Sequence, residues 1–175
     1  MRRERIGRNV LVVSCHPQPT SFTAASLERV LTGLAASGRN VRLHDLYAEA
    51  WETAGDISTH STELAWCDTL VLVYPTWWSG QPGMLADWIV RCWPAAIRRR
   101  HITHVVAVTS HGSPKYVNAL EGEVGKHLLE RWVRWRCARS ARVEWIALYD
   151  IDTAGDERRR RFLDQVEQRF ASRPR

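Results

Sequence analysis

The chain has 175 residues, 45% of them hydrophobic, and a formal net charge of +6. That length suits one domain with a substantial core, spanning residues 1–175 with residues 1–8 as a solvated tail. No apolar run reaches the roughly 18 residues of a membrane span, and residues 1–8 lack the apolar stretch of a secretory signal. Cys15, Cys67, Cys92 and Cys137 are scattered and form no CxxC pair, which excludes a zinc ribbon or a dithiol redox motif and points to reduced, cytoplasmic thiols. The positive charge lies mostly on arginine, with runs at 98–100 and 158–161. Such runs are read as solvated faces rather than as a nucleic-acid footprint.

Residues 9–14 form a short β-branched apolar run and predict a buried first strand. The loop at 15–21 follows, in which Thr20 or Ser21 can cap the next helix. Ala24, Leu27, Leu31 and Leu34 give that helix its apolar stripe, and Gly38 ends it. Residues 40–46 predict a second strand with Val41, Leu43 and Asp45 on one face. Residues 47–66 carry an excursion around Gly55 and Asp56, then a short helix over 61–66. Residues 69–73 are continuously apolar, as in a strand buried on both faces. Pro82 is placed at the first position of the following helix, with Met84, Leu85, Trp88, Ile89 and Cys92 on one stripe. Residues 104–109 predict a fourth strand. From Asn118, apolar residues at Leu120, Val124, Leu128, Trp132 and Trp135 predict one long amphipathic helix. Residues 142–148 predict a fifth strand, and 156–170 a closing helix with Phe162, Val166 and Phe170 inward.

Strands alternating with helices five times imply a doubly wound α/β fold, a parallel sheet with helices on both faces. Five strands suit the flavodoxin-like order 2-1-3-4-5, whose ligand crevice lies at the carboxyl ends of the first and third strands. The loops after strands one, three and four should therefore meet. The first opens a helix, so its N–H groups favour an anion, with His16, Thr20 and Ser21 as added donors; the alternative is an ordinary cap beside a surface histidine. The loop after strand three offers two adjacent rings, Trp77 and Trp78, to a planar ligand, or else to the core or a subunit interface. The loop after strand four offers Thr109, His111, Gly112 and Tyr116. The chain has neither GxGxxG nor a Walker-type GxxxxGK[ST], so the two commonest nucleotide fingerprints are absent. An anion at one end of such a crevice and a flat ring at the other describe a flavin.

Residues 16–22 (HPQPTSF), Tyr74-Pro-Thr-Trp-Trp78 with Pro82, Leu85 and Trp88, and Thr109-Ser-His-Gly112 with Tyr116 resemble the three signature loops of the NAD(P)H:quinone oxidoreductase family. That family includes bacterial modulator-of-drug-activity proteins and ancillary flavoproteins of potassium efflux systems. The resemblance implies a two-electron, ping-pong flavoenzyme using FAD or FMN, with a lean to FAD. NADPH or NADH would be the donor and a quinone-like molecule the acceptor. By family position, His16, Ser21, Phe22 and Thr23 would hold the phosphate and ribityl end. Pro75, Thr76, Trp77, Trp78 and Ser79 would hold the isoalloxazine ring, and Thr109, Gly112 and Tyr116 its other edge. Tyr116 and His111 are the candidate catalytic residues. The resemblance also implies a homodimer, with the helix after Pro82 and the long fourth helix as interface elements. A second reading is a regulatory flavoprotein subunit docked peripherally to a membrane transporter.

The chain departs from the family at several positions. Gly122 stands where better-studied members carry a histidine, six residues after the tyrosine, and the nearest histidine is His127. The third loop is one residue shorter and keeps only Gly112, and position 23 is threonine where asparagine is common. These departures put a Tyr–His proton relay in question. Other chemistries are excluded more directly. A phosphatase Cys-x5-Arg loop fails because Ser21 stands where arginine is needed, and no GxSxG elbow is present. The HxxH of His101 and His104 has no carboxylate pair beside it, so no metal site is assigned.

Overall fold

The computed structural model describes residues 6–77, 80–94, 96–120 and 124–172. Strands β1 (Asn9–Ser14), β3 (Thr69–Thr76) and β4 (His104–His111) form the centre of the sheet and are buried almost throughout. Their side chains alternate between two cores, as the period of a strand requires. Leu11, Val13, Leu70, Leu72, Val105 and Ala107 enter one core, and Val10, Val12, Val71, Val73, Val106 and Val108 the other. Strands β2 (Asn40–Asp45) and β5 (Arg142–Leu148) complete an all-parallel sheet of order β2-β1-β3-β4-β5. The doubly wound order anticipated from the sequence is thus the observed one.

The valine-lined core is covered by α1 (Phe22–Ser37) and α7 (Asp156–Ala171), through Val30, Leu34, Phe162, Val166 and Phe170. The other core is covered by α2 (Trp51–Ala54), α3 (Ile57–Trp66), α4 (Gly83–Cys92) and α6 (Val124–Arg136). Trp51, Leu64, Leu85, Trp88, Leu129 and Val133 fill it. A short α5 (Lys115–Leu120) precedes α6. Ser21 caps α1 by accepting the Ala24 N–H at 3.1 Å, and Gly38 closes it in the left-handed region at φ 72°. Both features match the sequence expectation.

Several expectations need correction. Pro82 is the N-cap of α4 rather than its first helical residue, with φ −55° and ψ 145°. In β2 the phase is reversed: Leu43 is 40% exposed while His44 is buried. His44 turns inward because α3 presents polar partners there, Glu63 and His60. Helix α3 begins four residues earlier than expected, because Asp56 accepts the Ser58 and Thr59 N–H groups and caps it. On α6 the inward stripe is Gly125, Leu129 and Val133. Val124, Leu128 and Trp135, on the apolar stripe expected from the sequence, are exposed. Both stripes have helical spacing, and the smaller one fits against the sheet.

The arginine runs are only partly solvated. Arg99 is buried, and Arg100 donates to the Cys137 carbonyl. Arg158 and Arg159 donate to the carbonyls of Tyr149 and Ile151, both at 2.9 Å. No helix among the described residues is long and apolar enough to cross a membrane.

Candidate functional site

At the carboxyl ends of the central strands lies a cleft of about 750 Å³. The β1–α1 loop and first turn of α1 supply His16, Phe22 and Thr23; the end of β3 supplies Pro75, Thr76 and Trp77. The end of β4 and its loop supply Ser110, Gly112 and Ser113. All three loops singled out in the sequence therefore converge. A fourth wall was not anticipated: Ile151 and Asp152, from the loop between β5 and α7, also line the cleft.

The α1 end presents free donors. Ala25 makes the first helical bond, to the Ser21 carbonyl, so the N–H groups of Phe22 and Thr23 precede the ladder. No acidic residue occupies the first turn, which leaves the positive end of the helix uncompensated. His16 Nδ1 accepts the Gln18 backbone N–H at 3.0 Å. The same Nδ1 lies 3.2 Å from the Gln18 carbonyl oxygen, so the ring is tied to its own loop.

The β3 end is built differently. Trp77 is 41% exposed at the cleft. Its backbone exchanges two hydrogen bonds with Gly80, each 3.0 Å, in an isolated antiparallel bridge that fixes where the ring sits. Trp78 and Ser79, both expected in the site, lie outside the described residues. Behind Trp77, Thr76 Oγ1 is 2.8 Å from Thr109 Oγ1 and 3.3 Å from His111 Nε2. His111 is buried and stacks on Tyr149, with ring centroids 4.5 Å apart and planes 21° off parallel. Thr109 and His111 thus stand behind Thr76 and reach the cleft through its hydroxyl. Tyr116 is 68% exposed on α5, three residues beyond the last cleft residue of its loop, and is not part of the lining. Ser21 serves as the α1 cap.

The remaining histidines and cysteines do other work. His101 Nε2 is 3.1 Å from the Leu64 carbonyl, and His104 Nδ1 is 3.2 Å from Thr103 Oγ1. Burial pushes all four thiols, including Cys15, up to about 12. A thiol so placed is not a nucleophile at neutral pH. A polar cluster that sequence spacing did not reveal joins His44, Glu49, His60 and Glu63. Glu49 lies 3.1 Å from His44 Nδ1 and 3.0 Å from His60 Nε2, and the two rings stack at 3.5 Å. Its ligand atoms are close enough to hold a metal ion, but the chemistry opposes one. Trp88 Nε1–H donates to His60 Nδ1 at 2.8 Å, so the neutral ring carries its proton on Nε2, the atom a metal would need.

The sequence matches the Flavodoxin_2 family, of flavodoxin-like fold, over residues 8–172. It is 22% identical over 113 residues to a ribosyldihydronicotinamide dehydrogenase-like protein from Penicillium crustosum, an alignment covering 47% of this chain and 42% of that protein. The chain thus matches less than half the length of that curated relative. Among solved structures, Smu.1420 from Streptococcus mutans UA159 is 25% identical with a TM-score of 0.82, covering 93% of this chain and 98% of that one. An NAD(P)H:quinone oxidoreductase from Methanothermobacter marburgensis is 21% identical with a TM-score of 0.75, covering 93% and 94%. With the family match running over nearly its whole length and the 2-1-3-4-5 sheet beneath it, the chain belongs to the Flavodoxin_2 family.

Proposed function

We propose that the protein is a flavin-dependent NAD(P)H:quinone-type oxidoreductase built as a single domain. The observation that carries this reading is the cleft itself. It has an uncompensated helix N-terminus at one end and an exposed, backbone-pinned Trp77 at the other, at the switch point of a flavodoxin-like sheet. The likeness to a quinone oxidoreductase and to a dehydrogenase-like relative agrees with it.

The residues present fit a flavin. The cleft volume falls within the range of small-molecule and cofactor sites. Gly112 keeps its wall low, since a Cβ there would stand 2.9 Å from Asp152 Oδ2. FMN and FAD both satisfy this donor set. Phe22, Thr23 and His16 would hold the phosphate end, with Ser21 fixing the helix that presents it. Pro75, Thr76 and Trp77, together with Trp78 and Ser79, would hold the ring system. When bound, a flavin would supply two-electron hydride chemistry. The chain's contribution is positional and electrostatic. Trp77 bars water from one side of the ring site, and the Thr76 hydroxyl, backed by Thr109 and His111, presents a fixed hydrogen-bonding group. His111 can hold a proton at Nε2 against Thr76 Oγ1, and Tyr116 is the second proton-bearing group assigned, from outside the lining. A reducing compartment such as the cytoplasm suits the four unpaired thiols.

The test is the visible spectrum of the purified protein before and after one equivalent of NADPH, and then NADH, under argon. Flavin bands that bleach in one two-electron step are expected, and the mass of the released chromophore separates FMN from FAD. A colourless protein that takes up neither flavin when supplied would remove the reading.

A further inference from the structure

The fourth wall of the cleft carries an unusual charge. Asp152 lines the cleft and is solvent-exposed. It makes no hydrogen bond or ion pair with any described residue. Cations are close at hand in sequence, yet the bonds they make are to backbone: Arg158 and Arg159 donate to the carbonyls of Tyr149 and Ile151, both just before the aspartate in the same loop. The loop is also held in place. Ile151 N–H donates to the His111 carbonyl at 2.9 Å, and Asp150 N–H to the Ser113 carbonyl at 3.1 Å. Asp150 sits in the left-handed region at φ 59°, a conformation aspartate tolerates better than most residues. Tyr149 is stacked on His111. The loop is thus clamped to β4 and the loop that follows it by backbone bonds and a ring stack, and the Asp152 carboxylate lies against Gly112 at the cleft wall.

We infer that Asp152 is a specificity-determining residue that accepts hydrogen bonds from the hydroxyl-bearing chain of the bound flavin, its ribityl group. An ionised carboxylate is acceptor-only, so its complement is an O–H or N–H donor. It repels a phosphate placed beside it, which leaves the phosphate to the acid-free N-terminus of α1. The cleft is therefore bipolar, with donors at one end and an acceptor along one wall. A ligand with an anion at one terminus, hydroxyls along its stem and a flat ring beyond fits that order. The same logic places an acidic side chain on ribose hydroxyls in dinucleotide-binding folds. The inference rests on the proposed flavin reading and adds to it the group that selects the stem.

Binding of riboflavin and of lumiflavin, which has the ring but no ribityl chain, is measured by quenching of flavin fluorescence for the wild type, Asp152→Asn and Asp152→Ala. The wild type is expected to bind riboflavin at least about tenfold more tightly than lumiflavin, the scale of a hydrogen bond to a charged group. Both variants should lose most of that difference while binding lumiflavin as the wild type does. An unchanged ratio in both variants overturns the assignment, as does a wild type with no preference for riboflavin. A wild type that binds neither compound, nor FMN, nor FAD, overturns the flavin reading itself. The two failures are therefore distinguishable.

Discussion

Trp88 donates its indole N–H to His60 Nδ1, and this one bond sets the behaviour of the cluster around it. Protonating His60 would put a second donor against the indole. Burial holds the ring below the usual histidine range, and neighbouring His44 lowers it further, against the opposing pull of Glu49 and Glu63. Above the ordinary value of about 6.5 the ring is neutral both folded and unfolded, so it contributes no pH dependence there. Below that value the unfolded chain takes up a proton that the folded chain resists, so stability falls with pH, by at most about 1.4 kcal/mol per unit. Urea unfolding at pH 7.5 and 5.0 should show this loss. In His60→Gln, whose amide oxygen can still accept from Trp88, the loss should be smaller. An equal loss in the variant would place the acid sensitivity elsewhere. None of this was visible in the sequence, where His44 and His60 stand 16 positions apart on a strand and a helix whose packing has to be seen. His16 and Gly112, by contrast, were legible because they lie in loops at strand ends, where the fold alone dictates proximity.

Helices α1 and α7 meet along a face that depends on Gly33. A Cβ at Gly33 would stand 2.5 Å from the Glu167 carbonyl oxygen and 2.8 Å from Phe170 Cβ. Backbone cannot yield there without separating the helices. Gly33→Ala should therefore destabilise the fold by about 1–3 kcal/mol, as overpacking does, despite the roughly 1 kcal/mol by which alanine favours a helix over glycine. A urea midpoint at or above that of the wild type would refute the close approach. The pair is reinforced by Arg29 to Glu167 at 2.6 Å and by Phe22 against Phe162. The α7 stripe of Phe162, Val166 and Phe170 was readable from spacing because it is the helix's sole apolar face. On α6 spacing left the packing open, because the helix carries two apolar stripes and periodicity does not say which one meets the sheet.

At the scale of the molecule, that second stripe has a use. Leu128 and Trp135 are 52% and 61% exposed, and Val90 of α4 is 68% exposed. Between α4 and α6 lies an apolar recess of about 210 Å³ lined by Leu85, Ile89, Leu128, Leu129 and Trp132, among others. We propose that this face is the homodimer interface. Sedimentation should give a dimer for the wild type and a monomer for Leu128→Glu, with unchanged far-UV circular dichroism. A wild type that sediments as a monomer at micromolar concentration would reject the interface. The parallel sheet and its crevice were legible in the sequence because alternating strands and helices admit few topologies. The fourth wall of the cleft was not, since its loop carries no motif and reaches the site only through its bonds to β4.

That wall has a consequence for how the protein comes into being. The α1 end of the cleft is encoded near residue 22 and the opposing wall near residue 152, and α1 is covered by α7, the last described helix. The cleft is therefore incomplete until residue 152 has been made. A ribosome must deliver the chain through residue 171 before α7 can dock on α1, so on the proposed reading flavin loading follows the making of α7 and cannot guide the steps before it.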